Sequence, residues 1–204
     1  MIKYLGSKRT LLATIEQVMA MIPNNHSIVD LFSGTSRVGH HLKKSGYQVF
    51  SNDLNTYAYA LGTCYVQADL DKYSSIVPPI LKQMQALQPY TGYFTKNFCE
   101  DARFFQPKNG QKVDAMRDWI EQQSFDWELK SVLLVALMEA ADRVDSTCGL
   151  QMAYLKKWAG RSFHDLELRM PELHNSQKNR PCKSYHGDAL INAKKISADV
   201  AYLD

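Results

Sequence analysis

The sequence predicts an α/β protein: a parallel sheet begun near the N-terminus, interrupted by a mostly helical insertion, and resumed near the C-terminus. Three observations lead there. Hydrophobic periodicity changes from helical to strand spacing and back inside residues 27–53, helical patterns without a convincing strand fill Asp69 to about Arg180, and strand character returns at Cys182. With 204 residues, 45% of them hydrophobic, the chain can bury a substantial core as one domain with an insertion or as two small lobes.

The elements follow in order. Ser7 is placed to cap a first helix with the apolar face Leu11, Leu12, Ile15, Val18, Met19 and Ile22, ended by Pro23. "SIVDLF" (Ser27 to Phe32) reads as a short strand, "SGTSRVGHHLKKSG" as a turn into a helix stopped by Gly46, and "YQVFSND" as a second strand. A βαβ unit of this kind implies parallel pairing with a right-handed crossover. Helix is expected over Leu54 to Val66. In the insertion, helical patterns cover Ile76 to Leu87, interrupted by Pro78 and Pro79, then Asp114 to Gln123, then Trp127 to Val144. In the last of these, Leu129, Val132, Leu133, Ala136, Leu137 and Ala140 recur at three and four as a core stripe. "FFQPKNGQK" and "PELHNSQKNRP" read as loops. "CKSYHGD" is again a strand, "ALINAKKI" a short helix and "DVAYLD" a last strand. The implied organisation is a sheet-forming part over 1–68, the insertion over 69–180 and a return to the sheet over 181–204.

Bulk properties exclude several classes. No apolar run approaches the ~20 residues that span a bilayer, and "MIKYLGSKRT" carries Lys8 and Arg9 before an amphipathic segment instead of an apolar signal core, so no membrane role and a cytoplasmic setting are expected. Cys64, Cys99, Cys148 and Cys182 lie 34 to 49 residues apart with no Cys-x-x-Cys pair, which suggests reduced, mostly buried thiols. The six histidines show no metal-ligand spacing; no metal is assigned, and surface or capping roles are expected for them. The net charge of +3 is small, but between Gln151 and Ser197 nine basic residues face four acids. That excess fits a nucleic-acid face; solvated helix surfaces explain it as well. Within it, "YLKKWAGRSFH" interleaves Lys156, Lys157 and Arg161 with Tyr154, Trp158 and Phe163, a pattern suited to phosphate contact and groove-side packing, which an amphipathic helix edge explains about as well.

The segment "DLFSGTS", Asp30 to Ser36, carries the most chemistry. Ser33, Gly34, Thr35 and Ser36 add little bulk, so a ligand can approach the backbone closely after the first strand. Gly34 to Gly39 has the form G-x-S-x-x-G, one residue from the dinucleotide fingerprint, and Asp53 lies 19 residues beyond Gly34 at the end of the second strand, where an acid commonly takes ribose hydroxyls. Asp30 separates the candidate cofactors: a carboxylate at the mouth of the first strand repels a pyrophosphate but favours the cationic amino group of S-adenosylmethionine. Helix capping or turn chemistry is the bland explanation for either acid alone.

These residues resemble the Dam-like adenine-specific DNA methyltransferases. "KYLGSK" (Lys3 to Lys8) is similar to their N-terminal motif, which helps hold the methionine part of the cofactor. "DLFSGTS" resembles their D-x-F-x-G-x-G segment, with Ser36 where glycine is usual. "SND" ending at Asp53 resembles the ribose-binding acid, "YHGDA" around Asp188 the strand-end acid near the cofactor adenine, and "DVAYLD" the lead-in to the D-P-P-Y catalytic motif. All five stand in family order, with the helical insertion where that family carries target recognition.

The resemblance implies a Rossmann-like methyltransferase sheet, incomplete at the C-terminus. It implies S-adenosylmethionine held by Tyr4, Gly6, Lys8, Asp30, Phe32, Ser33, Gly34, Thr35, Asp53 and Asp188, and double-stranded DNA as substrate, contacted by Lys156, Lys157 and Arg161. Asp204 becomes the catalytic acid, which with a neighbouring carbonyl accepts hydrogen bonds from the exocyclic amine of a flipped-out adenine. A cognate restriction endonuclease is an expected companion. With the sequence ending at Asp204, the chain is expected to be an inactive fragment. The alternatives are a non-catalytic cofactor- or DNA-binding truncation, half of a split enzyme, or a methyltransferase of the same fold with an RNA, protein or small-molecule substrate.

Overall fold

A computed structural model describes Ile2 and residues 8–148 and 153–204. A 3-10 turn over Lys8–Thr10 leads into α1 (Leu12–Ala20), followed by β1 (Ser27–Asp30), α2 (Arg37–Lys44), β2 (Gln48–Asp53) and α3 (Thr56–Gly62), which runs on as a π-helical turn over Thr63–Gln67. Next come α4 (Leu70–Tyr73), α5 (Val77–Gln85), α6 (Tyr93–Thr95) with a π-helical turn over Lys96–Glu100, α7 (Pro107–Gln122) and α8 (Trp127–Arg143). The chain closes with β3 (Lys183–His186), α9 (Ala189–Asn192) and β4 (Val200–Tyr202).

Among the described residues two compact units result, one built on residues 8–74 and 172–204 and one on residues 75–171. The first holds a four-stranded parallel sheet in the order β3-β2-β1-β4. Parallel strands place all their carboxyl ends on one edge. The register sets Asp30 opposite Ser51 on one side and Tyr202 on the other, and Asp53 opposite His186. Met19, Ile28, Val38, Leu42, Val49, Val66 and Cys182 form a buried cluster, flanked by Leu12, Ile15, Tyr47, Val200 and Tyr202. The apolar face of α1 is narrower than its sequence pattern: Leu11, Val18 and Ile22 are exposed.

The strandless run 172–182 is bound to this unit by polar side chains. Lys43, fully buried, donates to the Ala68 carbonyl at 2.9 Å and pairs with Asp69 at 2.9 Å. Asp69 in turn accepts from the Ser176 amide and hydroxyl, at 2.7 and 2.8 Å. Burial pushes the Asp69 carboxyl upward, but Lys43 and Ser176 outweigh it and hold the pKa below the ordinary value. His40 is no surface or capping residue: it is buried, bonds the Glu172 carbonyl at 2.8 Å and stacks on His174, and burial lowers its pKa to about 4.

The second unit is helical. The core stripe of α8 is buried from Val132 through Ala140, as are Met116 and Ile120 of the neighbouring α7, and Asp126 caps α8 by accepting from the Leu129 amide at 2.8 Å. Two readings are corrected here. Pro78 and Pro79 do not interrupt α5; they occupy its first turn, where a missing N–H costs nothing and the fixed φ suits a helix. Likewise "FFQPKNGQK" is a loop only up to Gln106, since Pro107 opens α7. Gly110 sits within that helix because a side chain there would collide with Cys99 Sγ, so close packing outweighs its low helix propensity.

Candidate active site

The carboxyl edge of the sheet gathers acids from all four strands or the turns after them. Asp30 ends β1 with 3% of its surface exposed and accepts the Phe32 amide. Burial, with the Asp53 and Asp204 carboxylates adding to it, pushes its pKa up to about 7. Asp53, at the end of β2, accepts the Gly34 amide at 2.8 Å through one oxygen and the Asn55 amide at 2.9 Å through the other. Asp188 follows β3 and caps α9 through a single oxygen, taking the Leu190 and Ile191 amides at 2.8 and 3.2 Å. Asp204 follows β4 and pairs with Lys8 at 2.7 Å. Capping and turn chemistry therefore account for part of the bonding of Asp53 and Asp188, yet each carboxylate has lone pairs left over.

The loop between β1 and α2 is shaped for close approach. Ser33 donates its amide to the Asn52 carbonyl at 2.9 Å, and Gly34 takes φ +49°, a conformation that costs a residue with a side chain. Ser36 also lies in the left-handed region, at φ +55°, as the residue before α2. Its buried hydroxyl has no hydrogen-bond partner among the described residues. A glycine at this position would take the same conformation without strain. Phe32 and Leu54, in the turns at this edge, and Leu190 and Ile191, in α9, hold apolar side chains in solvent.

Of the residues singled out in the sequence, Asp30, Phe32, Ser33, Gly34, Thr35, Asp53, Asp188, Asp204 and Lys8 belong to this sheet unit, the acids at one edge of it. Tyr4 and Gly6 lie outside the described residues. Lys156, Lys157 and Arg161 belong to the helical unit. There Lys156 and Lys157 are exposed, while the Arg161 guanidinium is turned inward onto Asp145 at 2.6 Å and the Thr147 carbonyl at 2.9 Å. Arg103, which no sequence pattern marked, donates to the Lys156 carbonyl at 3.1 Å and lies over the Trp158 ring at 4.9 Å. Asn52, buried beneath the strand-end loops, was missed as well; the only local signal was a polar residue inside a strand next to Asp53. Among the described residues no three His, Cys, Asp or Glu side chains gather as a metal site, and no helix is long and apolar enough to cross a membrane.

The chain is similar to several known methyltransferases and methylases. It is 30% identical over 216 residues to the type II methyltransferase M.NlaIII of Neisseria lactamica, covering 98% of this chain and 63% of that protein. It is 27% identical to the modification methylase StsI of Streptococcus sanguinis and 29% identical to the type II methyltransferase M.FokI of Planomicrobium okeanokoites, spanning 33% and 34% of their lengths. The chain thus spans less than two thirds of each of these relatives. A profile of one family matches it from residue 4 to residue 204, through every strand and each acid of the carboxyl edge: the chain belongs to the D12 class N6 adenine-specific DNA methyltransferases.

Proposed function

We propose that the protein transfers a methyl group from S-adenosylmethionine to the exocyclic amine of adenine in double-stranded DNA. The observation that carries this reading is Asp30, a carboxyl buried at the mouth of a central strand with its pKa pushed up to about 7. An ammonium placed beside it restores the ionised form and relieves the cost of burial. The other residues fit the same ligand. Asp53 keeps lone pairs for ribose hydroxyls, Asp188 keeps a free oxygen at the next strand end, and Phe32 offers an exposed apolar face. Ser33, Gly34 and Thr35 allow close backbone approach, and Tyr4 and Gly6 complete the set by resemblance. Bound there, S-adenosylmethionine supplies the electrophilic methyl group.

Asp204 takes the amine side of the reaction in this reading. Its carboxylate accepts an N–H of the target amine as positive charge develops on that nitrogen, which stabilises the transition state. Lys8, paired with Asp204 at 2.7 Å, holds the carboxylate in place. In the helical unit, Lys156 and Lys157 are the candidates for phosphate contact, and Arg161 serves them by fixing their segment to Asp145. The setting we propose is cytoplasmic, in the modification half of a restriction system whose endonuclease reads the same DNA site. The names of the type II methyltransferase relatives support the modification role alone.

Tritiated methyl incorporation into unmodified DNA by the full-length protein tests the activity. Transfer to adenine is expected, and Asp204→Ala should lower turnover at least about a hundredfold while cofactor affinity changes little. Full activity in that variant, or methyl groups found on cytosine, would sink the assignment.

A further inference from the structure

The end of β2 holds a buried amide that none of the proposed chemistry uses. Asn52 has 1% of its surface exposed, and its side chain is spent on three neighbours. Its Nδ2 donates to the Leu31 carbonyl at 3.0 Å, in the loop after β1, and to the Gly187 carbonyl at 3.2 Å, in the turn after β3. Its Oδ1 accepts from Asn192 Nδ2 at 2.7 Å, at the end of α9. The backbone repeats the pattern. The Asn52 carbonyl accepts the Ser33 amide at 2.9 Å, and the Asp53 carbonyl accepts the Gly187 amide at 3.0 Å.

No other side-chain type of this size offers two donors and an acceptor in one rigid plane. An apolar replacement would leave two buried carbonyls without these donors, and a carboxylate would place negative charge against both. The far end of the same strand is managed differently: Gln48 donates one exposed bond to the Pro181 carbonyl at 2.9 Å. A strand that needed only to be anchored could use such a bond at either end. What the Asn52 amide adds is a fixed distance between loops, and the loops it ties are those that carry Phe32 to Thr35, Asp53 and Asp188.

We infer that Asn52 is a positioning residue, whose carboxamide, backed by Asn192, sets the spacing of the three strand-end turns and so preorganises them for the cofactor. The inference rests on the proposed cofactor reading, and two separate measurements keep the two apart. Hydrogen exchange at the Ser33, Gly34 and Gly187 amides reports the loops without any ligand. Calorimetry with S-adenosylmethionine, at a temperature where circular dichroism shows every variant folded, reports the site.

In Asn52→Ala, exchange at those three amides should quicken at least about tenfold and S-adenosylmethionine should bind about tenfold or more weakly. Gln48→Ala, on the same strand, should leave both unchanged even where it lowers the melting temperature. Should Asn52→Ala fail to fold, Asn192→Ala is read in the same way, with a smaller change in the same direction. A lower melting temperature with unaltered exchange and affinity would overturn the inference and leave Asn52 a plain structural residue. Quickened exchange in Asn52→Ala alongside a parent protein that binds no S-adenosylmethionine would uphold the spacing of the turns by Asn52 and overturn the cofactor reading.

Discussion

The two ends of one sheet treat their carboxylates in opposite ways. At the amino end, Asp199 accepts the His26 amide at 2.9 Å, the Ser27 amide at 2.8 Å and the Ser27 hydroxyl at 2.9 Å. The His26 amide above all, with both Ser27 groups, holds its pKa below the ordinary carboxylate range. At the carboxyl end, Asp30 is buried, accepts the Phe32 amide and lies near two other acids, and burial drives its pKa the other way. The first arrangement is bonded as a structural joint is. The second is costly as it stands, and the loop after β1 adds a strained serine at φ +55° whose buried hydroxyl has no partner among the described residues. Strain and unfavourable charge collected at one edge support the proposal that this edge takes a cationic ligand.

The largest effect that would sharpen this contrast lies at Asp30. Asp30→Ala should weaken S-adenosylmethionine binding by about 1 to 3 kcal/mol, as for a lost charged hydrogen bond, and calorimetry reads it directly. The pH dependence follows from the same residue. An ammonium partner lowers the raised pKa, so affinity in the parent should climb about tenfold between pH 6 and pH 8, and the slope should vanish in Asp30→Asn. Stability runs in the opposite sense. Because the folded state binds this proton more tightly than the unfolded chain, the stabilising contribution is full below the ordinary value of 3.8 and is lost as pH rises towards about 7. Urea midpoints should therefore fall from pH 5 to pH 8 in the parent and fall less in Asp30→Asn.

A smaller effect is expected at Ser36. Glycine adopts φ near +55° freely and removes the orphaned hydroxyl, so Ser36→Gly should raise unfolding stability by about 1 kcal/mol, measured in urea, without weakening cofactor binding. Destabilisation instead would mean that the hydroxyl has a partner worth more than the strain. Smallest for the site is Asp199→Ala. It should lower the melting temperature and leave S-adenosylmethionine affinity as it was; an equal loss of affinity would erase the distinction between the two ends.

Periodicity was enough to place β1, α2, β2 and α8, because short strands and amphipathic helices advertise which face they bury. It failed at Pro78, Pro79 and Gly110, where residues that break helices in isolation serve as a helix start or as a close contact with Cys99. The acids Asp30, Asp53, Asp188 and Asp204 were legible because each ends a strand or opens the turn after it, and parallel strands deliver such positions to one edge whatever lies between them in sequence.

Other features depended on partners far away in the chain. The lysine and arginine of the basic segment look alike in sequence, yet Arg161 turns inward because Asp145 is buried within reach, whereas Lys156 and Lys157 stay in water. Asn52 reads as one polar residue in a strand, and its significance appears only when Leu31, Gly187 and Asn192 converge on one carboxamide. By itself the sequence determined which groups could do chemistry and on which elements they ride, since residue type and local period are one-dimensional properties. Only the tertiary structure decided which polar groups are paired, which are left raised or strained, and which hold the others in place, because desolvation and hydrogen bonding depend on what burial brings together from distant parts of the chain.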